Sequence, residues 1–332
     1  MPGNKIINGL WIGRCLSKIE LLCIKSFLRH GHEFHLWVYD IIETPLPEEL
    51  ILEDAAQIIS RSDVFNYHNK NQYGHGKGSY AGFSDIFRYK LLYEKGGWWV
   101  DMDVCCLKPF DFDAEYVFRT HHDFPMVGNI MKCPRGSRLM KMCYEEAITH
   151  VNAENTDWNK PINILNENIA GLGLEKYILN ISNSDEWAVI RNYLRNNYNT
   201  PATWYAIHWI NEEWRSRKIN KNAINKKSVL GKQLADNGLY KRPFFVHLWI
   251  NNYKLHEFKP LFRMKKPGMK YYHKVRAFVI HYFYYQFFGF LKFHFSKLYY
   301  GITGFVKFYA QKIFYGITGF VKFHSRKIIR KK

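Results

Sequence analysis

The sequence predicts an α/β fold built on a mostly parallel sheet. Three observations carry that prediction. Apolar strand patterns and helical patterns alternate from the N-terminus onward. A glycine-rich loop at 71–79 leads into a helix that stops at Gly96–Gly97 and passes directly into an apolar strand. That strand then meets acidic residues, at the place where open α/β sheets bind ligands.

The elements follow in order. Residues 5–13 (KIINGLWIG) read as a buried first strand ending at Gly13, and 17–30 carry helical spacing with a stop at His30–Gly31. Residues 33–39 (EFHLWVY) alternate as a second strand. Pro45 and Pro47 mark a loop, and 50–59 read as a short helix. Ser84 is placed as the N-cap of the next helix, with Asp85 in its first turn, where the helix dipole favours a carboxylate. Phe83, Phe87 and Leu91 recur every four residues and should face the core. Trp98–Val100 form a short strand; 139–151 and 162–179 read as helices, and 185–195 as a third. Residues 204–214 (WYAIHWINEEW) are dense in aromatic rings and polar tips, and 243–249 (PFFVHLW) read as a late strand.

Charge divides the 332 residues into two parts. The net charge is +19, yet residues 261–332 hold 16 Lys and Arg and no acidic residue, leaving 32 basic and 29 acidic residues in the first 260. The body, 1–260, is therefore a nearly neutral domain of sufficient size to bury a core. The tail, 261–332, is basic and aromatic, and asks for an anionic partner. Cys15, Cys23, Cys105, Cys106, Cys133 and Cys143 form no CxxC pair and read as small buried hydrophobes. With no basic-then-apolar export signal at the N-terminus, the expectation is a reducing, cytoplasmic setting.

The chemistry concentrates in Ser84–Val104. On an extended segment, residues i and i+2 point the same way, so Asp101 and Asp103 can aim two carboxylates at one point. Hard cations such as Mn²⁺ or Mg²⁺ take carboxylate oxygens together with substrate phosphates, and neutralise a diphosphate leaving group. A bare D-x-D is weak, and the chain has a second, Asp111–Phe112–Asp113, which reads as surface loop. Asp85 and Arg88, at i and i+3, could grip a ribose, a phosphate or a sugar; taken alone they read as a helix-surface ion pair.

These residues carry a resemblance. KGSYAGFSDIFRYKLLYEKGGWWVDMDVCCLKPFDF (77–112) resembles, almost without a break, the DXD-containing sugar-binding region of glycosyltransferase family 32. Trp11–Gly13 resembles the family's first-strand motif and WYAIHWINEEWRSRK (204–218) its C-terminal His/Trp block, so the likeness runs over roughly residues 5–220. It implies a GT-A (Rossmann-like) nucleotide-sugar-binding domain. It implies that Trp11, with Ile12 beside it, stacks on the nucleotide base; that Ser84, Asp85 and Arg88 bind ribose, phosphate or donor sugar; and that Trp99 flanks the nucleotide. Asp101, Asp103 and His208 would form the catalytic metal set, with Asp103 the more direct ligand, and Trp214 would lie near the leaving phosphate. A base-stacking Trp suits uracil, so a UDP-hexose leads as donor and a GDP-sugar follows, and a retaining transfer to a glycan of capsule, lipopolysaccharide or another cell-surface polymer is the expected reaction.

The chain departs from the family pattern at three places: Asn8 replaces a His, Lys160–Pro161 replaces Gly–Pro, and Glu213 stands where relatives often have Ser. An inverting enzyme would need a carboxylate base, for which Glu212 or Glu213 could serve. Other readings are a metal-dependent phosphohydrolase using the same aspartates, and a membrane- or nucleic-acid-binding protein driven by the tail.

In the tail, Tyr300–Phe308 (YGITGFVKF) recurs as Tyr315–Phe323, with a shorter copy at Gly289–Phe293. Only 15 uncharged residues separate Arg276 from Lys292, fewer than the roughly 20 that a spanning helix needs. Aromatic rings interleaved with lysines suit the headgroup layer of an anionic membrane, which places the protein on the inner face of the cell membrane beside a lipid-linked acceptor. No nucleic-acid-binding module accompanies the tail, so no nucleic-acid partner is expected.

Overall fold

The computed structural model describes residues 5–219, 221 and 224–240. The strand expected at 243–249, the tail and its repeats lie outside the described residues. No helix among the described residues is long and apolar enough to cross a membrane.

The chain opens with β1 (Ile6–Trp11), α1 (Lys18–Arg29), β2 (Glu33–Val38) and β3 (Ile51–Asp54). Next come α2 (Ala81–Lys95), β4 (Gly97–Val100), β5 (Val104–Cys106), β6 (Val117–Thr120) and β7 (Met126–Cys133). Two helices follow, α3 (Arg138–His150) and α4 (Lys160–Gly171), then β8 (Ile178–Leu179) and α5 (Trp187–Arg195). β9 (Ala206–His208), α6 (Asn211–Ser216) and α7 (Val229–Asp236) complete the order. Seven strands form one sheet in the order β3-β2-β1-β4-β7-β6-β8, and β5 pairs with β9 in a second. β1 runs parallel to β2 and β4, β2 to β3, and β6 to β8; only β7 is antiparallel to its neighbours β4 and β6. The expected mixed α/β architecture with a mostly parallel sheet is therefore what the chain builds.

Strand alternation sends successive side chains to opposite faces. Leu10, Trp37, Trp99 and Met131 join Phe83, Phe87 and Leu91 of α2 in one core, which α3 and α4 complete. Ile7, Phe34, Trp98, Val100 and Ile130 join Cys23, Ile24 and Phe27 of α1 in the other. Five of the six cysteines are buried, four of them in these two cores, and Cys15 is exposed. Asn8 is buried between strands, donating to Trp98 O (3.0 Å) and accepting from Trp37 Nε1 (3.0 Å). The departure from the family pattern at this position is thus a packing feature of the sheet.

Four local expectations need correction. Residues 50–59 are not a helix: Ile51–Asp54 pair with β2, and Asp54 then caps a single 3₁₀ turn by accepting from Ala56 N. Ser84 is not the N-cap of α2. The helix begins three residues earlier, Ser84 N already bonds Tyr80 O (2.8 Å), and Asp85 sits beyond the first turn. The helix expected over 162–179 ends at Gly171; Gly173, at φ +66°, turns the chain into a 3₁₀ turn and β8. Finally, Asp101 and Asp103 do not lie on an extended strand. Val104 N bonds Asp101 O (3.0 Å), so 101–104 form a tight turn between β4 and β5. That turn lays Met102 close against β1 at Gly9, where an added Cβ would stand 2.8 Å from Met102 Sδ.

Candidate functional site

The C-terminal ends of β1 and β4 and the start of β7 open into one cavity of about 1110 Å³. Trp11, Ile12, Ser84, Asp85, Arg88, Trp99, Asp101, Asp103, His208 and Trp214 all line it. Residues expected together from distant stretches of sequence are thus together in space, and the second D-x-D, Asp111–Asp113, stays outside on an exposed loop.

The centre is set by strand pairing. β9 runs antiparallel to β5 with His208 opposite Val104, and Trp209 N extends the ladder to Asp103 O (2.9 Å). His208 is thereby fixed beside the aspartate turn, with Nε2 3.3 Å from Asp103 Oδ2. Ile210 follows in a left-handed conformation (φ 52°), costly for a β-branched residue. The strained step turns the Asn211 N–H onto Asp103 Oδ2.

Behind His208 stands a buried chain that the sequence did not reveal. Nδ1 lies 2.8 Å from Asp185 Oδ1, and Arg119 grips Asp185 with two bonds of 2.7 Å each. Asn183 holds the His208 backbone on both sides, accepting from its N (2.7 Å) and donating to its O (3.1 Å). Asp185 sits in the unremarkable run Ser182–Glu186 and Arg119 on a buried strand; no spacing rule joins them to His208.

On the other side, Arg88 links Asp85 and Asp101, 3.1 Å from each. Its guanidinium lies 5.2 Å from the Trp99 ring centre, and Trp99 Nε1 donates to Asp101 Oδ1 (2.8 Å). Trp99 is buried and holds this pair from beneath. Gly128 on β7 makes room for the guanidinium, since a Cβ there would stand 2.6 Å from Arg88 Nη1. Asp85 and Arg88 are therefore a buried, shared-charge network rather than a surface ion pair. Trp214 is also fully buried and gives its N–H to Trp209 O (2.6 Å), which fastens α6 to the end of β9.

Burial raises the Asp85 carboxyl to about 6 despite Arg88, and raises Asp101. Asp103 is held below the usual carboxylate range: burial opposes this, but the His208 charge and hydrogen bond outweigh it. His208 is pushed up to about 10, because Asp185 and Asp103 overcome its burial.

The residues fit a divalent cation. One ligand atom each from Asp101, Asp103 and His208 lie within 4.8 Å of one another, two hard oxygens and an imidazole nitrogen. Asp185 on Nδ1 leaves Nε2 to face the cation, the orientation second-shell carboxylates impose on metal-binding histidines. A cation on Nε2 would take the place of the proton that His208 otherwise carries between Asp103 and Asp185. A second group, His121, His122 and Asp123, could also hold an ion, but it lies on one short loop and two of its members are exposed. Two buried polar atoms in the cavity lack a partner among the described residues, Trp11 Nε1 and Asn211 Oδ1, as expected where a polar ligand completes the site.

Comparison with known proteins agrees with the geometry. Residues 39–119 match the family described as "Glycosyltransferase sugar-binding region containing DXD motif". The match takes in Asp85, Arg88, Asp101 and Asp103, and leaves Trp11, Asp185 and His208 outside it. No curated protein matches the sequence. Among solved structures, the PaToxG glycosyltransferase is similar at a TM-score of 0.38 and 14% identity, over 51% of this chain and 68% of that one. A transferase bearing two cysteine-to-serine substitutions is similar at 0.35 and 10%, over 50% of this chain and 85% of that one. At these scores the assignment rests on the matched segment and the site, not on the likenesses.

Asp185→Asn keeps the shape but removes the charge that orients His208. Mn²⁺ affinity measured by titration calorimetry should fall about 10–100-fold with the fold retained; unchanged affinity would remove Asp185 from the site.

Proposed function

We propose that this chain, a glycosyltransferase by its DXD sugar-binding region, transfers a hexose from a UDP-sugar to a glycan acceptor with retention of anomeric configuration. The carrying observation is the convergence of Asp101, Asp103 and His208 beside the Asp85–Arg88 pair in one cavity that Trp11 also lines. In this reading Trp11 meets the base, with Ile12 beside it, and Ser84, Asp85 and Arg88 hold the donor sugar or ribose. Asp101, Asp103 and His208 hold Mn²⁺, or Mg²⁺ in its place; when bound, the cation offsets the charge that gathers on the departing diphosphate.

The protein's own groups hold the donor still. Arg88 is pinned from two sides, so a sugar hydroxyl meets a fixed donor rather than a mobile one. Asn211 N and the His208 side chain keep Asp103 ionised and aimed into the cavity. The bond from the anomeric carbon to the phosphate oxygen breaks, the acceptor oxygen bonds to that carbon, and the acceptor proton passes to the departing diphosphate.

Retention is favoured because the two glutamates available to an inverting route are occupied. Glu212 accepts two bonds of 2.7 Å from Arg215 and one of 3.0 Å from Gly76 N, and Glu213 pairs with Arg217. A phosphohydrolase is the weaker reading: it would want more His and Asp ligands around the ion than Asp101, Asp103 and His208 supply.

Capsule, lipopolysaccharide or another cell-surface polymer is the proposed product, and the inner face of the cell membrane the proposed place. The basic tail would bind anionic lipid there, next to a lipid-linked acceptor.

UDP with Mn²⁺ should raise the melting temperature of the full chain, and UDP release from a UDP-hexose should need Mn²⁺. Asp103→Ala should lose both effects; retention of both would contradict the reading. Removing 261–332 should leave UDP release intact and abolish salt-sensitive binding to phosphatidylserine liposomes, while equal binding by the shortened chain would remove the membrane role.

A further inference from the structure

The cavity is larger than its charged groups require. Its 1110 Å³ exceed the roughly 300–1,000 Å³ of a single-ligand pocket. The groups described so far occupy the ends of β1 and β4, the second turn of α2 and the end of β9. Another part of the lining is aromatic: Tyr73, His75 and Trp158.

These rings are held with unusual firmness for a surface loop. Tyr73 is 57% exposed, yet it stacks on His75 (centroids 5.9 Å apart, 21° between planes) and its hydroxyl accepts from Asn159 Nδ2 (2.9 Å). His75 meets the edge of Trp158 at 5.5 Å. Asn71 Oδ1 accepts from Tyr73 N (2.9 Å) and His75 N (3.2 Å). Gln72 bridges Asp157 and Trp158 N, while Glu212 and Arg215 bind Gly76 N and Lys77 O. Gly76 lies at φ +94°, and a Cβ there would stand 3.3 Å from the Trp158 ring, so the glycine lets the loop lie against it. Ordering an exposed ring this fully costs conformational entropy that water does not repay. It lowers the cost of binding a partner to that ring.

Position separates this wall from the base site. Trp158 and Asn159 immediately precede α4, and α4 stands on β7, where Asn166 bonds both Met126 N (3.1 Å) and Met126 O (3.0 Å). In the sheet order β7 is two strands from β1, which ends in Trp11. At about 4.8 Å per strand that offset is ~10 Å, and the Asp101–Asp103 turn leaves β4 between them.

We infer that Tyr73, His75 and Trp158 form the acceptor subsite and take an uncharged hexopyranose. The C–H face of such a ring packs on aromatic faces, and its hydroxyls meet the Asn159 amide and the Tyr73 hydroxyl. Glu212 and Arg215 act as positioning residues, tying the wall to α6 and so to the Asn211–Asp103 contact. The inference rests on the donor reading above, and the test separates the two.

Binding of methyl β-D-galactopyranoside, methyl β-D-glucopyranoside and methyl α-D-mannopyranoside to the full chain is followed by saturation-transfer NMR, with and without UDP and Mn²⁺. UDP affinity is measured in parallel by calorimetry. At least one glycoside should bind wild type, and Tyr73→Ala and Trp158→Ala should each weaken it by about tenfold, with UDP affinity kept within about twofold. Glycoside affinity unchanged in both variants, or no glycoside bound to wild type, overturns the inference. Loss of UDP affinity in the variants overturns it too, because the wall would then hold the base. Failure of wild type to bind UDP while glycosides still bind through Tyr73 and Trp158 would defeat the donor reading alone.

Discussion

The site depends on one short piece of strand pairing. β5 and β9 are three residues each, yet their ladder sets His208 opposite Val104 and carries on to Asp103 O. Without it, a histidine more than a hundred positions away in sequence has no reason to meet the aspartate turn. Everything behind the histidine secures that contact: Asn183 clamps its backbone, Asp185 fixes its ring, and Arg119 fixes Asp185. The strain at Ile210 has the same sense, because relaxing it would take the Asn211 N–H away from Asp103.

Burial gives these contacts their force. Charges partly withdrawn from water interact more strongly than exposed ones, but each must be matched or its desolvation is uncompensated. Arg88 and Arg119 match part of the acidic charge from either side, through Asp85 and Asp101 on one flank and Asp185 on the other. At Asp103 the balance is held by protonated His208, and a divalent cation between Asp101, Asp103 and His208 would replace that proton. A cation bound there and a diphosphate bound to it are then two halves of one neutralisation. This is why a nucleotide-sugar, and not a neutral ligand, suits the centre of the cavity.

Much of this was legible in the sequence. Alternating strand and helix patterns gave the parallel sheet, and the Gly96–Gly97 stop before Trp98 and Trp99 placed the aspartates at a sheet mouth. What misled was local geometry. Ser84 looks like a cap because it is a polar residue ahead of an apolar run, but Ser79 and Tyr80 already start the helix. Ile51–Asp54 has too few residues for periodicity to separate strand from helix, and pairing with β2 decided it. The aspartates converge through a turn rather than through strand alternation, so the right outcome came from a different cause. Asp185, Arg119 and Asn183 were invisible because buried polar networks are built by tertiary contact, with no fixed spacing. The family resemblance implies that Trp99 flanks the nucleotide and Trp214 lies near the leaving phosphate; both line the cavity, and each also holds a neighbour in place from beneath its surface.

The account stands on a divalent ion held by Asp101, Asp103 and His208. Anomalous diffraction at the manganese edge, from crystals grown with UDP and Mn²⁺, tests this most directly. One peak within bonding distance of carboxylate oxygens of Asp101 or Asp103 and of His208 Nε2, with a phosphate oxygen beside it, is the result expected. A peak only at His121, His122 and Asp123, or an ordered UDP with no peak near the aspartate turn, would contradict it.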